Sequence, residues 1–558
     1  MVRKFREPDS FVCSTKTPRE SMAVASESAP EESASQFWFW LGLLLGTGLF
    51  LIILLAPTPS GLTIEGQRLA AVTTLMAIFW VLQPIPIAAT SLIPLALYPL
   101  MGILSSRDVS KVYADSNVFL FLGGFLLAIA IERWNLHKRI ALHIISRVGT
   151  SPRMIVFGFM LTTAALSMWI SNTAAALLML PIGLALITTL QETLDHLAPA
   201  EAERVTSSLT IPLLLGIAYA ASCGGFATLV GTPTNVSMRG YWERQFVTQG
   251  YTPLSFAEWM IVFVPVMVLM LLSAVVVMCW NVRPFPNSDQ LTRGFFRTRL
   301  NQLGRATFAE WMVGGLFMMT AVLWIFRAPL IINQHPVLPG WTDLLASFLS
   351  AMGIQADYLK KFPDDATIAM FMGLMLFILP GDRLPDGKRP RLLTWNDAER
   401  NIPWGMLLLF GGGFAMADAF SATHLSEWIG KGFSGLLQDQ PITVLVLATC
   451  TLLTILTEFT SNTATINTLL PVLAAISMQL DIDPRWLMVP ATVSASCGFM
   501  MPVGTPPNAL VFSTGKVPMS SMMRYGLVLN LLGIIYVAGA MLLLGPAVMG
   551  IPFPHAGP

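Results

Sequence analysis

The sequence predicts an all-α polytopic membrane protein, with eleven transmembrane helices and two re-entrant helical hairpins arranged as an inverted repeat. Of its 558 residues, 54% are hydrophobic and only 12% are charged, whereas about a quarter of an average soluble domain is charged. Apolar runs of about 20 residues recur along the chain, and three sequence blocks occur twice in the same order. This composition excludes an ordinary soluble enzyme, and the sequence lacks the short alternating segments of a β-barrel.

Each apolar run is long enough to cross the roughly 30 Å of hydrocarbon in a bilayer. Two further apolar stretches, 153–190 and 440–478, are interrupted in the middle by Ser-Asn-Thr at 171–173 and 461–463. Their halves are too short for independent spans, so each stretch is predicted to be a re-entrant hairpin. The eleven predicted spans are 37–56, 66–83, 86–103, 116–132, 208–238, 255–280, 309–328, 364–380, 404–421, 485–512 and 524–547.

Residues 1–36 are polar and of mixed charge, with no apolar core before Phe37. They are predicted to be a disordered cytoplasmic tail rather than a cleaved signal peptide. The formal net charge of +1 is too small to indicate a nucleic-acid partner. The five cysteines have no metal-like spacing, and four lie in or beside apolar runs, which indicates small buried packing residues rather than a disulfide framework.

Positive charge sets the predicted orientation, because short cytoplasmic loops concentrate Lys and Arg. Such clusters follow the fourth, sixth and eighth spans, within 133–153, 283–305 and 383–400. Counting back from them places the N-terminus in the cytoplasm and, after eleven crossings, the C-terminus outside. The protein is therefore predicted to be a multi-pass protein of the plasma (inner) membrane, with one hairpin opening from each side.

An internal repeat divides the chain. The stretch "FLFLGGFLLAIA" at 119–130 resembles "LLLFGGGFAMADA" at 407–419, and "GFATLVGTPTN" at 225–235 resembles "GFMMPVGTPPN" at 498–508. With the hairpins, this makes three matched blocks in the same order. Because the fourth span runs inward and the ninth outward, the halves are predicted to be inverted, as in many secondary transporters.

The Ser-Asn-Thr triplets place polar side chains at membrane depth, which is tolerated only inside protein or against a water-filled cavity. Asn offers a carbonyl oxygen and an amide donor, and Ser and Thr offer hydroxyls that do both. Such a tip can coordinate a hard cation through oxygen and donate hydrogen bonds to an anion. Ser167 and Thr457 stand four residues before the triplets, one helical turn away, and Thr460 adds a hydroxyl where the first hairpin has Ile170.

Gly and Pro interrupt the fifth and tenth spans at "VGTPTN" and "VGTPPN". A break there frees carbonyls at one half-helix end and amides at the next, which gives paired sites for a cation and an anion near the midplane. One such motif alone is more simply a helix cap or a proline kink. Four interruptions in symmetric pairs favour a binding site.

These four motifs, with the eleven spans, resemble the divalent anion/sodium symporter family, which moves dicarboxylates, tricarboxylates or sulfate. The resemblance covers roughly residues 37–550. It implies two sodium ions and a substrate anion between the hairpin tips. The implied first sodium site is Ser167, Ser171, Asn172 and the carbonyl of Gly231, the second is Thr457, Thr460, Asn462 and the carbonyl of Gly504, and the implied substrate contacts are Asn172, Thr173, Thr232, Asn462, Thr463, Thr505 and Pro506.

None of these residues is charged, so bound sodium would supply the positive charge and the substrate would bind well only after it. The resemblance further implies an elevator mechanism and a homodimer. Scaffold helices would occupy 37–150 and, with a cytoplasmic loop, 281–437, while transport elements would occupy 151–280 and 438–550. The amphipathic stretches 133–150 and 421–437 would be interfacial arms, or alternatively plain solvated loop helices.

Ionisable residues within apolar segments are costly and often functional. Glu458, three residues before the second triplet, has Met168 as its counterpart. Two hypotheses stay open: Glu458 orients the tip or tunes sodium binding, or it makes a hydrogen bond inside its own helix. Asp418 and Glu132 are interpreted as structural or interfacial.

Rival functions fit less well. The six histidines form no His-Glu-x-x-His pair and no activated nucleophile is visible, so the protein is predicted not to be an enzyme. A channel would not need two hairpins opening toward opposite faces. The sequence therefore predicts a sodium-coupled symporter of C4-dicarboxylates such as succinate, malate or fumarate. The alternatives left open are a dicarboxylate exchanger, a proton-coupled relative using Glu458, and a sodium-coupled citrate or sulfate transporter.

Overall fold

The computed structural model describes residues 34–148, 151–193, 199–280, 282, 288–332, 335–360, 362–383, 387–437 and 440–554. The predicted N-terminal tail up to residue 33, and Cys13 within it, lie outside these residues. The helices of the first half are α1 (Ala34–Leu55), α2 (Ile64–Leu82), α3 (Ile87–Thr90), α4 (Ile93–Leu100), α5 (Ser106–Val112), α6 (Ser116–Arg133), α7 (Leu136–Val148), α8 (Pro152–Ser167), α9 (Asn172–Thr193), α10 (Pro199–Phe226), α11 (Pro233–Gln245) and α12 (Phe256–Cys279).

The second half is helical in the same way, with short 3-10 turns at Val247–Gln249 and Asp357–Lys360 as the remaining helical pieces of the described chain. Its helices are α13 (Ser288–Leu303), α14 (Phe308–Ile325), α15 (Trp341–Ala351), α16 (Asp365–Ile378), α17 (Trp395–Asn401), α18 (Trp404–Ala422), α19 (Leu425–Leu437), α20 (Ile442–Thr457), α21 (Asn462–Gln479), α22 (Arg485–Ser494), α23 (Pro506–Ser513) and α24 (Met519–Met549).

The almost entirely helical character that the sequence predicts is confirmed. Within the described residues, eight helical segments are long and apolar enough to cross a membrane, and four shorter apolar segments accompany them. The shorter ones include α8 and α20, the first arms of the two predicted hairpins. Most predicted spans coincide with helices to within a few residues, because each apolar run ends where polar or proline residues begin.

Two departures from the predicted elements stand out. The third predicted span, 86–103, is two short helices, α3 and α4, separated at Ser91 and Leu92. Pro94 lies at the start of α4, where its missing N–H removes no helical hydrogen bond. The chain is also not wholly α-helical, because β1 (Leu330–Ile332) and β2 (His335–Leu338) pair as a small antiparallel hairpin after α14.

Glycines of the repeated "GGF" blocks allow close packing around the gap between α3 and α4. A Cβ at Gly412 would lie 2.7 Å from the carbonyl oxygen of Ser91, and one at Gly411 would lie 2.2 Å from the ring of Tyr113. The hydroxyl of Tyr113 in turn donates to the Ser91 carbonyl. These glycines therefore permit close packing of α18 against the neighbouring helices.

The chain turns or breaks at the four predicted interruptions. The expectation that both halves of each interrupted stretch are too short to span is wrong for α9, which is long and apolar enough to cross a membrane. α8 and α9 turn at residues 168–171, and α20 and α21 turn at 458–461. α10 and α11 are separated at 227–232, and α22 and α23 at 495–505. α8 packs along α10 and α20 along α22, while α9 contacts α23 and α11 contacts α21. In each repeat, the second helix of the hairpin therefore packs against the second half-helix of the other repeat.

Two matched turns lead into the arms before the hairpins. Asn135 follows α6 and His424 follows α18, and both adopt left-handed φ angles, 56° and 57°. Asn tolerates this conformation better than most residues because its short side chain can bond locally. The predicted amphipathic stretches are the helices α7 and α19, which begin immediately after these turns.

Candidate functional site

Three oxygen atoms meet beside the first hairpin tip. Ser167, at the end of α8, is fully buried, and its Oγ lies 2.8 Å from Asn172 Oδ1 and 2.6 Å from the carbonyl oxygen of Ala221 on α10. The single hydroxyl proton can be donated to only one of the two oxygens at a time. We call Ser167, Asn172 and Ala221 the first oxygen cluster.

The second hairpin repeats this arrangement. Thr457 is also fully buried, and its Oγ1 lies 2.5 Å from Asn462 Oδ1 and 2.6 Å from the carbonyl oxygen of Ala495. Ala495 lies just after the end of α22, and Ala221 lies in the last turns of α10. We call Thr457, Asn462 and Ala495 the second oxygen cluster. Each oxygen of the second cluster has a counterpart in the first.

The alanine carbonyls were not among the predicted ligands. A signal for them is present in the sequence, since "ASCG" occurs at 221–224 and again at 495–498. The spacing between "ASCG" and "GTP" is one residue longer in the first half than in the second. An ungapped comparison that aligns the "GTP" blocks therefore misses the "ASCG" repeat.

Glycine lets the first break approach its tip. A Cβ at Gly225 would lie 2.2 Å from Asn172 Oδ1, and one at Gly231 would lie 2.4 Å from the Gly225 carbonyl oxygen. Because no real Cβ contact is that short, any residue other than glycine at these two positions would force its neighbours to move. Gly225 therefore lies against Asn172, and Gly231 lies against Gly225.

The second break contacts its tip through Gly504. A Cβ at this residue would lie 3.4 Å from the Thr457 carbonyl oxygen and 3.3 Å from Glu458 Oε2. The structure therefore brings Thr457, Asn462 and Gly504 together. A Cβ at Gly498, which aligns with Gly225 when the "GTP" blocks are matched, would lie 3.2 Å from Thr457 Cγ2, a looser fit than that of Gly225.

The predicted substrate residues lie at the starts of half-helices. Thr232 and Thr505 precede α11 and α23 and are both buried, with nearly identical extended backbones at φ −140° and −142°. Helix N-termini favour an anion, although the first two residues of α23, Pro506 and Pro507, carry no N–H. Thr505 accepts a hydrogen bond from the Asn508 backbone at 3.4 Å, whereas Thr232 makes no side-chain cap bond.

The other predicted contacts are less uniform. Thr463 is buried and Thr173 is half-buried at the starts of α21 and α9, while Pro506 is exposed. Ser171 Oγ accepts a hydrogen bond from the Ala174 amide at 3.2 Å, so its hydroxyl caps α9.

Thr460 is placed apart from the second oxygen cluster. Its Oγ1 donates to the Leu456 carbonyl or pairs with Thr465 Oγ1, at 2.7 and 2.6 Å. Within the described residues, no hydrogen bond joins its side chain to Thr457 or Asn462. Its counterpart Ile170 is buried.

Glu458 bonds across the second helix break. Its carboxylate accepts hydrogen bonds from the backbone amides of residues 499, 500 and 501 at 2.8 to 3.1 Å, and from Asn530 Nδ2 at 2.5 Å. The side chain is 3% exposed. The hypothesis of a hydrogen bond within its own helix is therefore wrong, because these partners belong to the break and to α24.

The two repeats meet directly at the breaks. Thr234 Oγ1 on α11 lies 3.0 Å from Ser496 Oγ, which follows α22. Among the residues that the structure describes, no hydrogen bond joins the Asn172 tip to the Asn462 tip. The oxygen clusters are thus two separate groups, connected through the half-helices rather than to each other.

A partly buried ionic cluster along α11 was not predicted. Arg239 is 2% exposed and contacts Glu243 and Asp365, each at 2.8 Å. Asp365, fully buried at the start of α16, also accepts from Arg327 Nε at 2.5 Å. Arg244 pairs with Asp115 before α6 at 2.8 Å and with Asp418 on α18. We call this set the α11 ion cluster.

The chemistry of the oxygen clusters suits a hard monovalent cation. Their members are hydroxyl, amide and carbonyl oxygens, which are the ligands that hard cations prefer. No group of three or more His, Cys, Asp or Glu side chains that could hold a metal occurs within the described part of the chain. The four described cysteines are free and buried, as expected for packing residues.

The sequence profile of the sodium:sulfate symporter transmembrane region matches residues 38–551. The chain belongs to the divalent anion/sodium symporter family. The resemblance carried by the four motifs is thereby confirmed, and with several apolar helices it makes the chain an integral membrane protein of a transport family rather than an enzyme.

Relatives within the family are named for transport. A Staphylococcus saprophyticus protein called sodium-dependent dicarboxylate transporter SdcS is 39% identical over 516 residues, which cover 92% of each chain. The SdcS of Staphylococcus aureus strain USA300 is 38% identical with the same coverage. The solved YdaH transporter of Alcanivorax borkumensis covers 92% of this chain and 97% of its own at 14% identity and a TM-score of 0.49, a likeness too distant to bear on the fold.

Proposed function

We propose that the chain is a sodium-coupled symporter of C4-dicarboxylates such as succinate, malate or fumarate. The observation that carries the proposal is the matched pair of oxygen clusters, Ser167–Asn172–Ala221 and Thr457–Asn462–Ala495. Relatives at 38–39% identity are named sodium-dependent dicarboxylate transporters. Two sites built alike favour two sodium ions, one in each cluster.

Sodium coupling has a physical cause in this arrangement. The proposed substrate contacts are neutral, and the nearby ionised group at the second break would be the Glu458 carboxylate. A dianion placed there without sodium would lack a compensating charge in a medium of low dielectric constant, which is unfavourable. Sodium in both clusters supplies that charge, so each ligand should raise the affinity for the other.

The substrate would lie between Asn172 and Asn462, with its carboxylates toward the starts of α11 and α23. Thr232 and Thr505 stand at those starts, where the positive helix end favours an anion. Because Pro506 and Pro507 carry no backbone N–H, the donor at the start of α23 would be the Thr505 hydroxyl. Thr173, Thr463 and Pro506 would complete the pocket. Sodium would bind at Ser167, Ser171, Asn172, Gly231 and the Ala221 carbonyl, and at Thr457, Asn462, Gly504 and the Ala495 carbonyl. Thr460, which the resemblance implies as a ligand, bonds Leu456 and Thr465 instead and is left out of the proposed second site.

The finer architecture belongs to the same proposal. Eleven spans and two re-entrant hairpins would form an inverted repeat, with the N-terminus cytoplasmic and the C-terminus outside the plasma (inner) membrane. Transport elements at 151–280 and 438–550 would move as an elevator against scaffold helices at 37–150 and 281–437. The scaffold would form a homodimer, and α7 and α19 would serve as the connecting arms. The matched turns at Asn135 and His424 support equivalent roles for the arms.

The decisive experiment is uptake into proteoliposomes with labelled succinate, citrate and sulfate, each with and without an inward sodium gradient. Sodium-driven accumulation of succinate, with weak or no accumulation of citrate and sulfate, is the expected result. Counterflow in vesicles preloaded with unlabelled succinate but lacking sodium tests the exchanger. Sodium-independent uptake that requires internal dicarboxylate would exclude symport, and accumulation driven by a proton gradient alone would assign the coupling to protons.

A further inference from the structure

A cavity of about 410 Å³ lies between α12, the end of α14 and the β1–β2 hairpin. It is separate from the oxygen clusters, and its whole lining is apolar. The lining residues are Ala257, Met260, Ile261, Val264, Pro265, Ile325, Phe326, Ala328, Leu330, Leu338 and Pro339.

The cavity runs along a membrane-spanning helix. α12 and α14 both have the length and composition of membrane spans. On α12 the lining extends from Ala257 to Pro265, about 12 Å along the helix axis at 1.5 Å per residue. That length is a little under half of the roughly 30 Å hydrocarbon core, so the cavity extends through most of one leaflet.

The cavity is continuous with a face that lipid would contact. Ile261 and Pro265 share one helical stripe with Val268, Leu272 and Val276, at successive spacings of three or four residues. The last three are 43%, 47% and 60% exposed. Exposed apolar residues on a membrane-spanning stripe face hydrocarbon, and the cavity is an indentation at one end of that stripe.

We propose that one acyl chain of a bilayer phospholipid occupies this cavity. Water needs two to four polar partners to remain in a cavity, and an apolar one binds apolar molecules instead. The lining residues offer apolar side chains, and hydrocarbon is the medium at the cavity mouth. The occupant is therefore a chain from the surrounding leaflet.

The lipid headgroup would lie at the end of the cavity near Arg327. This residue stands between Phe326 and Ala328, which both line the cavity, and its side chain is 20% exposed. Within the described residues, Nε is the one nitrogen of its guanidinium group with a hydrogen-bond partner, the buried Asp365. The β-hairpin has open edges that hydrocarbon would not tolerate, which places this end at the membrane surface, where phosphates lie.

The site has a consequence that rests on the proposed function. α12 belongs to the proposed transport elements, whereas α14 and the hairpin belong to the proposed scaffold. The bound chain would fill a boundary along which the two groups shear, so its removal should change the transport rate without changing sodium affinity.

The test uses the full chain in vesicles of phosphatidylglycerol and phosphatidylethanolamine that contain a trace of phospholipid with a diazirine in one acyl chain. After illumination, adducts are mapped by mass spectrometry on the wild-type protein. Several-fold more labelling at Met260, Ile261 and Val264 than at Leu272 and Val276 is expected. Equal labelling along the stripe, or weaker labelling of the lining than of Leu272 and Val276, would overturn the proposal.

Two variants sharpen the result. Val264→Trp should fill the cavity and reduce labelling of the remaining lining several-fold. Val276→Trp, on the same helix but outside the cavity, should leave that labelling unchanged. Unchanged labelling in Val264→Trp would contradict the site. Labelling is measured without sodium or dicarboxylate, so failure of the lipid site and failure of the transport proposal give separate outcomes.

Discussion

The two helix breaks carry the same "GTP" motif but are held by different chemistry. At the first break, Asn235 Nδ2 donates to the Thr228 carbonyl at 2.7 Å, Thr228 Oγ1 donates to the Met168 carbonyl at 2.5 Å, and Trp259 Nε1 donates to the Phe226 carbonyl at 3.0 Å. All of these donors are neutral side chains, and all of the acceptors are backbone carbonyls.

At the second break, one neutral side-chain amide donates to the backbone carbonyls, and a carboxylate accepts from the backbone amides. Asn508 Nδ2 donates to the carbonyls of Gly498 and Met501, both at 3.1 Å. This break is longer, 495–505 against 227–232, and its extra backbone amides are bonded by Glu458. A repeated motif therefore fixes where the helix stops, while the length of the break decides which backbone groups need a partner.

Transport should depend most strongly on the residues that the two halves share. Asn172→Ala and Asn462→Ala each remove the oxygen that faces the buried hydroxyl of Ser167 or Thr457. We expect both variants to lose sodium-driven succinate uptake while still folding, as judged by size-exclusion profile and thermal unfolding. Asn401→Ala, at an exposed position on α17 where the amide bonds the Asp397 carbonyl, is the matched control. Normal uptake in either site variant would show that the two clusters are not equivalent.

The glycines beside the tips should respond unequally. Gly225→Ala forces a Cβ to within 2.2 Å of Asn172 Oδ1, so the amide must leave its place. Gly498→Ala meets Thr457 Cγ2 at 3.2 Å, which a shift of a few tenths of an ångström relieves. We expect near-complete loss of uptake for Gly225→Ala and retention of most activity for Gly498→Ala. Equal losses would mean that the second tip is packed as tightly as the first.

Charge at the second break should set sodium affinity. Glu458→Gln keeps the size of the side chain but removes the negative charge beside Gly504. We expect the sodium concentration for half-maximal uptake to rise about tenfold, equivalent to about 1.4 kcal/mol. Met168→Leu, at the counterpart position of the first hairpin, should leave the sodium curve unchanged. An unshifted curve in Glu458→Gln, in a protein that still folds, would limit the carboxylate to holding the backbone.

The smallest effect is expected at Thr460, where the halves differ but the hydroxyl turns away from the cluster. Thr460→Val removes only the bonds to the Leu456 carbonyl and Thr465, so sodium affinity should change less than about threefold, under about 1 kcal/mol. Thr457→Val, which removes a cluster hydroxyl, provides the large-effect reference in the same sodium titration. A comparable loss in both would show that Thr460 turns to the ion when sodium binds.

Much of this architecture was predictable, because apolar runs and Gly-Pro interruptions are local signals. The hairpin tips, both breaks and the hydroxyls at Ser167 and Thr457 follow from spacing within a few residues. The partners of Glu458 were not predictable, since they lie 41 to 72 residues away in sequence.

Two further features were missed for related reasons. The segment between α14 and α16 contains a β-hairpin and α15, which are short and lack a long apolar run to mark them. The Thr460 hydroxyl lies away from its predicted position because it pairs with Thr465, five residues away across the hairpin tip. Spacing on an ideal helix cannot show that pairing, because the helix is interrupted between them.

The α11 ion cluster has no equivalent on α23, whose sequence "PPNALVFS" contains no charged residue. Any movement of α11 against α6, α16 and α18 must separate Arg239 from Asp365 and Arg244 from Asp115. Breaking a buried ion pair without a replacement costs about 3–5 kcal/mol, and about 1.4 kcal/mol on a barrier slows a step tenfold. If this interface shifts once per cycle, its arginines help to set how many substrate molecules one protein can move each second.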